Sequence, residues 1–514
     1  MNPTRKEVWH YPWAMRWSEL KLPFGPPPAT DPEVQEAVYD SRRAGPGRVF
    51  FAIPGTHTDG HQFAQAALQQ GAVAVVGEHL IPGLDSSRQV VVRDTRVALG
   101  QMAAALAGHP SHRLPVIGVT GTDGKTTTSI LLRAALTPSL GNVGSLTTVD
   151  FRMGELVEPN LSRQTTLEAP EVQGLLSRML DAGCRAVALE VTSHALALHR
   201  VDEVRFQGAV FTNVTHDHLD FHGSWEAYLE AKARLLTLSG SAGGFAVLNR
   251  DDHRAFPRLR QHWAGPLLTY SARGDKEADV YATRMLPRDG GWAYTAITPQ
   301  GTADVALQLP GRWNVGNSLA ALAAGLLMGH PLPELAAGLA ALDSVPGRMQ
   351  RVRLGQPFEV VVDYAHTPAA LTLALSELRA ATPGRLWVVF GSAGERDLEK
   401  RAEMGRIAAR LADQLVVTSE DPRDEDPEAI IAEICRGAVE AGASFDHNLH
   451  REVDRARAVR LAVERALPGD TVLLAGKGHE HSILTSHGAV PWDEAGEAAA
   501  ALRGRQGSRG LPDS

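Results

Sequence analysis

The sequence predicts an α/β protein built from several parallel-sheet domains. Short β-branched runs recur along it, each closed by a polar or glycine-rich loop and followed by a helical apolar pattern. One of those loops binds phosphate, and 514 residues exceed what one core organises, pointing to about three domains. With 44% hydrophobic and 21% charged residues the chain reads as globular. A formal net charge of -8 argues against a sequence-independent nucleic-acid binder. Cys184 and Cys435 are too few for a disulfide framework or a cysteine zinc site, as in a reducing cytosol. No apolar run reaches membrane-spanning length, and residues 1–20 carry Arg, Lys and three Trp where a signal peptide would be apolar. A cytoplasmic protein is expected.

Taken in order, the first thirty residues end in Pro26-Pro27-Pro28 and read as an irregular arm whose Trp9, Trp13 and Trp17 pack on the body. A small α/β module follows, with strands at 49–53 and 72–76 and a helix between them carrying Phe63, Ala66, Ala67 and Leu68. Its polar turns, Asp40-Ser41-Arg42 and Thr56-His57-Thr58-Asp59-Gly60, fit ligand contacts or ordinary Asx turns. Gly108-His109-Pro110-Ser111 is a linker, and a boundary at 112/113 is expected.

Beyond it, a strand-type run at 115–119 enters Thr120-Gly121-Thr122-Asp123-Gly124-Lys125-Thr126-Thr127 and then a helical pattern. The glycines let backbone N–H groups approach an anion, the helix start adds positive partial charge, Lys125 supplies a cation and the Thr126 hydroxyl can reach Mg²⁺. ATP or GTP is the expected ligand. Val119 stands where the strict eight-residue form has Gly, so the loop is a shortened variant. Two more strand runs, 186–189 and 209–211, end in Glu190-Val191-Thr192-Ser193-His194 and Thr212-Asn213 through His216-Asp217-His218. In a parallel sheet those ends face the ligand, and oxygen and imidazole donors there suit a divalent metal.

Ser224 caps a helix whose Trp225, Tyr228, Leu229, Leu235 and Leu236 share one face with Lys232. An unpaired ammonium on that face is costly; either Lys232 snorkels to the helix edge or it has a special role. Asn314 and Asn317, at the start of an Ala-rich helix, fit caps or readers of a purine edge. A break at 343–348 precedes the last α/β segment, giving expected domains 1–112, 113–346 and 347–514. Its strands end in Asp363-Tyr364-Ala365-His366-Thr367-Pro368, Gly391-Ser392-Ala393-Gly394-Glu395-Arg396-Asp397, Thr418-Ser419-Glu420-Asp421-Pro422-Arg423 and Gly476-Lys477-Gly478-His479-Glu480. Four such loops at one sheet edge make a site for a polar, charged small molecule. The Gly- and Arg-rich tail after Arg503 is expected to be disordered.

These motifs, with His199-Arg200-Val201 and Pro346-Gly347-Arg348, resemble in order the Mur ligases, and among them the type that adds the third residue to a cell-wall precursor. The resemblance runs from about Asp40 to Asp493 and implies the three-domain fold of that family: a UDP-binding module, a central ATPase and a Rossmann-like C-terminal domain. It implies ATP and Mg²⁺ as cofactors, small-molecule substrates and a monomer with neither nucleic-acid partner nor membrane span. It also implies roles. Ser41, Thr56, His57 and Thr58 would hold the uridine diphosphate, and Thr165, Thr166, Thr192 and Arg200 the muramoyl-dipeptide. Gly121 to Thr127, Asn317 and Arg348 would hold nucleotide; Thr126, Glu190, His218 and Lys232 would serve the metal, with Lys232 carbamylated. Asp363 and His366 would complete the closed site, and Arg396, Glu420, Asp421, Arg423, Gly476 and Glu480 would bind the amino acid.

The implied chemistry makes the D-Glu γ-carboxylate reactive as an acyl phosphate, which the incoming amine attacks while a closed C-terminal domain excludes water. Whether Asp363 or His366 orients or deprotonates that amine stays open. Folylpolyglutamate synthase shares this chemistry, but Asp40-Ser41-Arg42 speaks for a UDP-sugar; a non-enzymatic phosphate-loop switch would need no Lys232 on an apolar face. The chain departs from the family pattern at Asp123, at Gly391-Ser392-Ala393-Gly394, and at Asp421, where diaminopimelate-adding members have an Asn. An anion there predicts L-lysine or L-ornithine over meso-diaminopimelate, although Arg423 is retained.

Overall fold

The computed structural model describes residues 14–55, 58–162, 164–215, 217, 219–395 and 398–509. The chain divides into two compact units. The first comprises Met1–Arg284, Tyr294–Val305 and Gly316–Leu339, the second Met285–Ala293, Ala306–Val315 and Ala340–Ser514.

In the first unit, strands Glu36–Val38, Arg48–Phe51, Ala74–Gly77 and Gln89–Val91 form a parallel four-stranded sheet in that order. Helix Thr95–Leu106 packs on it, capped by the Asp94 carboxylate, which accepts from Arg96 N and Val97 N. The arm is less irregular than its composition suggests: Met15–Arg16 pairs antiparallel with Glu33–Val34, and Trp17 is buried in the core, edge-on to Phe24. Trp9 and Trp13 lie outside the described residues.

The larger sheet is parallel at its centre, where Val143–Leu146, Ala186–Glu190, Val116–Thr120, Phe206–Phe211, Phe245–Asn249 and Leu267–Ser271 run side by side. These strands are mostly apolar because helices cover both faces, and polar residues such as Thr120, Glu190 and Asn249 fall at their ends. One consequence is functional: Thr120, Leu146, Glu190 and Phe211 all end their strands at one edge, so the loops that follow share a ligand-facing rim.

The second unit repeats the logic. Strands Glu359–Asp363, Thr471–Ala475, Leu386–Phe390, Gln414–Val417 and Leu449–Arg451 are parallel in that order, with Gln350–Arg351 antiparallel at the edge. Val361, Val388 and Leu473 enter one core while Val360, Val362, Trp387 and Leu474 enter the other, so the period-2 alternation is apolar on both faces. The tail differs from the expectation of disorder. Helix Glu494–Arg509 extends past Arg503 because Leu502 is buried and Arg505 donates to the carbonyls of Val463 and Ala466 while lying 4.7 Å over the Phe358 ring.

Candidate active site

In the first unit the phosphate loop is fixed from beneath by the next strand's end. Thr122 N donates to Asn213 O at 2.7 Å, Asp123 N to Asn213 Oδ1 at 3.0 Å, and Thr212 Oγ1 to Asp123 O at 2.6 Å. Two loop amides are therefore committed within the protein, and the donors open to an anion are the first N–H groups of helix Lys125–Leu140, which have no partner inside the helix. Gly124, at φ +82°, would be strained by any side chain, and a Cβ would lie 2.5 Å from Asn317 Oδ1, so glycine seats Asn317 against the loop. Lys125 Nζ rests on Gly121 O at 3.1 Å and Thr122 O at 2.7 Å, neutral acceptors a phosphate can displace.

Glu190 is the carboxylate of this rim. It is buried, and Thr126 Oγ1 donates to it at 2.9 Å while Thr148 N and Thr148 Oγ1 donate to Oε2 at 2.9 and 3.0 Å. Among the described residues no cation lies within ion-pair distance of Glu190. A buried carboxylate held only by hydroxyl and amide donors fits a divalent cation, and Mg²⁺ needs few protein oxygens because it keeps water ligands. Thr126 and Glu190 suit that role. His218, expected beside them, lies outside the described residues, and among those described no group of three or more His, Cys, Asp or Glu gathers at a candidate metal site.

Lys232 does not snorkel. It is fully buried on helix Trp225–Ser241, its Nζ donating to Gly121 O at 2.7 Å and lying 4.5 Å over the Tyr228 ring. Burial, then the Lys125 charge, pushes its ammonium well below the usual lysine range, opposed by Asp217, Asp123 and Glu190. Tyr228 in turn holds the loop, its hydroxyl 3.2 Å from Thr122 Oγ1.

The residues expected to hold the dipeptide converge on the same strand end. Thr166 Oγ1 donates to Glu190 O at 2.8 Å and accepts from Thr192 N at 3.1 Å; Arg200 Nη1 donates to Thr166 O at 3.1 Å and Arg200 pairs with Glu168 at 2.7 Å. Thr165 Oγ1 lies 3.0 Å from Thr148 Oγ1. Thr192 also caps helix Ser193–Ala197. The Asp40-Ser41-Arg42 turn is an Asx turn, Asp40 accepting from Arg42 N at 3.0 Å, and Thr58 O closes the next turn on Gly55 N. Thr56 and His57 lie outside the described residues.

In the second unit, Asp363 accepts from Met349 N at 2.7 Å and Ala365 N at 2.9 Å, and burial raises its carboxyl against the opposing Arg348 charge. His366 Nδ1 lies 2.8 Å from Tyr364 O; a carbonyl only accepts, so Nδ1 carries the hydrogen. Arg348 stacks 4.5 Å over Tyr364. At the acidic loop, Lys477 Nζ, fully buried, pairs with Asp421 at 2.8 Å and with Glu480, while Leu484 N also donates to Asp421 at 2.8 Å. Burial raises the Glu420 carboxyl, opposed by Lys400, Lys477 and Arg455, and its Oε2 has no hydrogen-bond partner among the described residues. Gly476, at φ +107°, lets this carboxylate approach: a Cβ would sit 3.1 Å from Glu420 Oε2. Arg423, in the left-handed region at φ 56°, has a buried Nε without a partner among the described residues and only a 3.8 Å contact with Glu395. Arg396 lies outside the described residues.

Three stretches match models of one family: residues 33–106 the "Mur ligase family, catalytic domain", 119–325 the "Mur ligase middle domain" and 347–478 the "Mur ligase, glutamate ligase domain". The chain belongs to the Mur ligase family. It is 46% identical to a UDP-N-acetylmuramyl-tripeptide synthetase of Roseiflexus sp., over 92% of this chain and 96% of that protein. It is 40% identical to a UDP-N-acetylmuramoyl-L-alanyl-D-glutamate--2,6-diaminopimelate ligase of Geobacillus kaustophilus, over 92% and 96%. A solved structure of a ligase of that second name shares 32% identity and a TM-score of 0.67, covering 96% of this chain and all of the other. The protein is thus an ATP-dependent ligase of peptidoglycan synthesis with the three-domain Mur ligase fold. The Mur ligase sequence alone does not reveal Thr148, the contact of Tyr228 with the loop or the role of Lys477. Thr148 lies just past the end of strand Val143–Leu146, on the rim where Glu190 ends its own strand, and that is the one signal available for it; the pairing of Lys477 with Asp421, 56 residues apart, leaves no local trace.

Proposed function

We propose that the chain joins meso-diaminopimelate to the D-Glu γ-carboxylate of UDP-N-acetylmuramoyl-L-Ala-D-Glu, acting as a cytoplasmic monomer with domains 1–112, 113–346 and 347–514. The observation that carries the choice of amino acid is the pairing of Asp421 with Lys477. The sequence preference for L-lysine or L-ornithine treats Asp421 as an uncompensated anion; the buried Lys477 ammonium and Leu484 N compensate it. Among the described residues Arg423 Nε and one Glu420 oxygen have no hydrogen-bond partner, and a guanidinium beside a carboxylate is complementary to a distal centre bearing both a carboxylate and an ammonium. The names of the Geobacillus relative and of the structural neighbour support the same reading.

In the reaction a γ-carboxylate oxygen attacks the ATP γ-phosphorus, the bond to the β-bridging oxygen breaks, and ADP leaves behind an acyl phosphate. The amine lone pair then attacks the acyl carbon, the carbon–oxygen bond to phosphate breaks, and one proton is lost. Lys125 and the helix N–H groups offset charge on the transferred phosphoryl group. Thr126 and Glu190 would hold Mg²⁺, which when bound neutralises phosphate charge. Thr165, Thr166, Thr192 and Arg200 orient the dipeptide. Asp363 is occupied by two backbone amides and organises its loop, whereas His366, with its hydrogen on Nδ1, carries on Nε2 the lone pair a base needs.

Lys232 reacts as the neutral amine with CO₂, losing one proton to become a carbamate, which replaces a costly buried cation with an anion. The mass of the intact protein checks this, and short carboxylic acids should partly restore ligation to Lys232→Ala; full activity of that variant without additive contradicts it. The amino-acid assignment is tested by kcat/KM for meso-diaminopimelate, L-lysine and L-ornithine at saturating ATP and UDP-dipeptide. The first should exceed the others by at least about tenfold; an advantage for lysine or ornithine overturns the assignment and returns the choice to Asp421.

A further inference from the structure

Thr148 stands between the two halves of the first unit's site. Its hydroxyl lies 3.0 Å from Glu190 Oε2 on one side and 3.0 Å from Thr165 Oγ1 on the other, with geometry that makes Thr148 the donor in both contacts. A hydroxyl has one hydrogen, so it can satisfy only one acceptor at a time. Its backbone N donates to Glu190 Oε2 in either case, at 2.9 Å, so the carboxylate stays in place when the hydroxyl turns away.

The two states differ in what they offer a ligand. With its hydrogen on Glu190, Thr148 lowers the electron density that the carboxylate can give a cation, and Thr165 keeps an open acceptor. With its hydrogen on Thr165 Oγ1, the Thr165 hydrogen is turned outward to donate to an anionic group, while Glu190 Oε2 loses one donor and gains capacity for a cation. A cation beside Glu190 and a substrate carboxylate beside Thr165 therefore favour the same state.

We propose that Thr148 is a positioning residue that couples cation and nucleotide binding at Glu190 to dipeptide binding at Thr165, each tightening the other. The inference rests on the dipeptide assignment of Thr165 made above. Linkage requires the coupling to be reciprocal and equal in both directions. It would let the chain assemble the acyl-phosphate step only when both partners are present, without any group moving more than a bond rotation.

The test measures the affinity of the full chain for UDP-N-acetylmuramoyl-L-Ala-D-Glu by calorimetry, with and without Mg²⁺ and a non-hydrolysable ATP analogue. It is run on the parent, Thr148→Val, Thr148→Ser, Thr165→Val and the double valine variant. The parent and Thr148→Ser should show nucleotide tightening the dipeptide by about tenfold, and Thr148→Val should reduce that factor to about one, with the double variant no lower. A loss of packing alone would shift the melting temperature and leave the factor unchanged. Thr165→Val that weakens dipeptide binding, together with an unaltered factor in Thr148→Val, overturns the proposal alone. Unchanged dipeptide affinity in Thr165→Val removes the dipeptide from that residue and overturns both the assignment and the proposal. Should Thr148→Val fail to fold, Thr165→Val must by itself abolish the factor, and a retained factor there refutes the coupling.

Discussion

The two units handle buried charge in opposite ways. Around the phosphate loop, cation and anion are kept apart: Lys125 rests on backbone carbonyls, and Glu190 rests on hydroxyls and an amide. Around the acidic loop of the second unit they are cancelled: Lys477 lies between Asp421 and Glu480, and Arg455, fully buried, pairs with Glu494. Charges left on neutral partners are available to a ligand, because a carbonyl or hydroxyl is given up at little cost. Charges paired inside the protein build shape, and among the described residues Arg423 Nε and Glu420 Oε2 are left without a hydrogen-bond partner, the two groups proposed above to meet the amino acid.

This contrast can be broken most sharply at Lys125. With its charge acting on the phosphates as proposed, Lys125→Ala should lower turnover by about 10²–10³-fold while the melting temperature stays within a few degrees. A fall in turnover that merely follows lost stability would place Lys125 among the structural charges. The reverse pattern belongs to Lys477. Lys477→Met leaves two carboxylates in a buried site, and urea unfolding should show a loss of about 3 kcal/mol, partly recovered in Lys477→Met with Asp421→Asn. No loss would mean that the cluster is hydrated and the cancellation unimportant.

Glu420 gives a pH dependence of definite sign. Burial raises its carboxyl in the folded state, so above the ordinary carboxylate range the folded chain retains a proton that the unfolded chain has released, and stability falls as pH rises through that window. Glu420→Gln removes this slope: urea unfolding should show the variant gaining on the parent between about pH 5 and pH 8. A parallel pH profile for the two would show that Lys400, Lys477 and Arg455 already balance it. The smallest effect is expected at Asp123, whose backbone N and O, not its carboxylate, hold the loop to Asn213 and Thr212. Asp123→Asn should change kcat/KM for ATP by less than about threefold, under ~0.7 kcal/mol. A larger change would add this carboxylate to the groups that act on ligand.

What the sequence makes legible follows the same division. Strand ends and glycine positions are local, so the phosphate loop, Glu190, Thr192 and the four C-terminal loops can be placed from spacing, and Lys232 stands out because helical period puts it on an apolar face. Pairings between distant loops are not local. Asp421 reads as an added anion until Lys477 is brought to it, and that reversal changes the expected amino acid. Thr148 is silent for a related reason: a threonine after a strand is ordinary, and its meaning depends on which two acceptors the fold sets on either side. The tail shows a third limit, because composition alone suggests disorder where Arg505 finds carbonyls on another helix.

The central claim is that the γ-carboxylate of the dipeptide is activated by ATP through groups that wait uncancelled in the first unit. It is tested most directly by supplying UDP-dipeptide with ¹⁸O in both oxygens of the D-Glu γ-carboxylate, together with ATP and meso-diaminopimelate, and analysing the released phosphate by mass spectrometry. One labelled oxygen per phosphate is predicted, with phosphate released only when all three substrates are present. Unlabelled phosphate, or release from ATP alone at the same rate, would contradict the account.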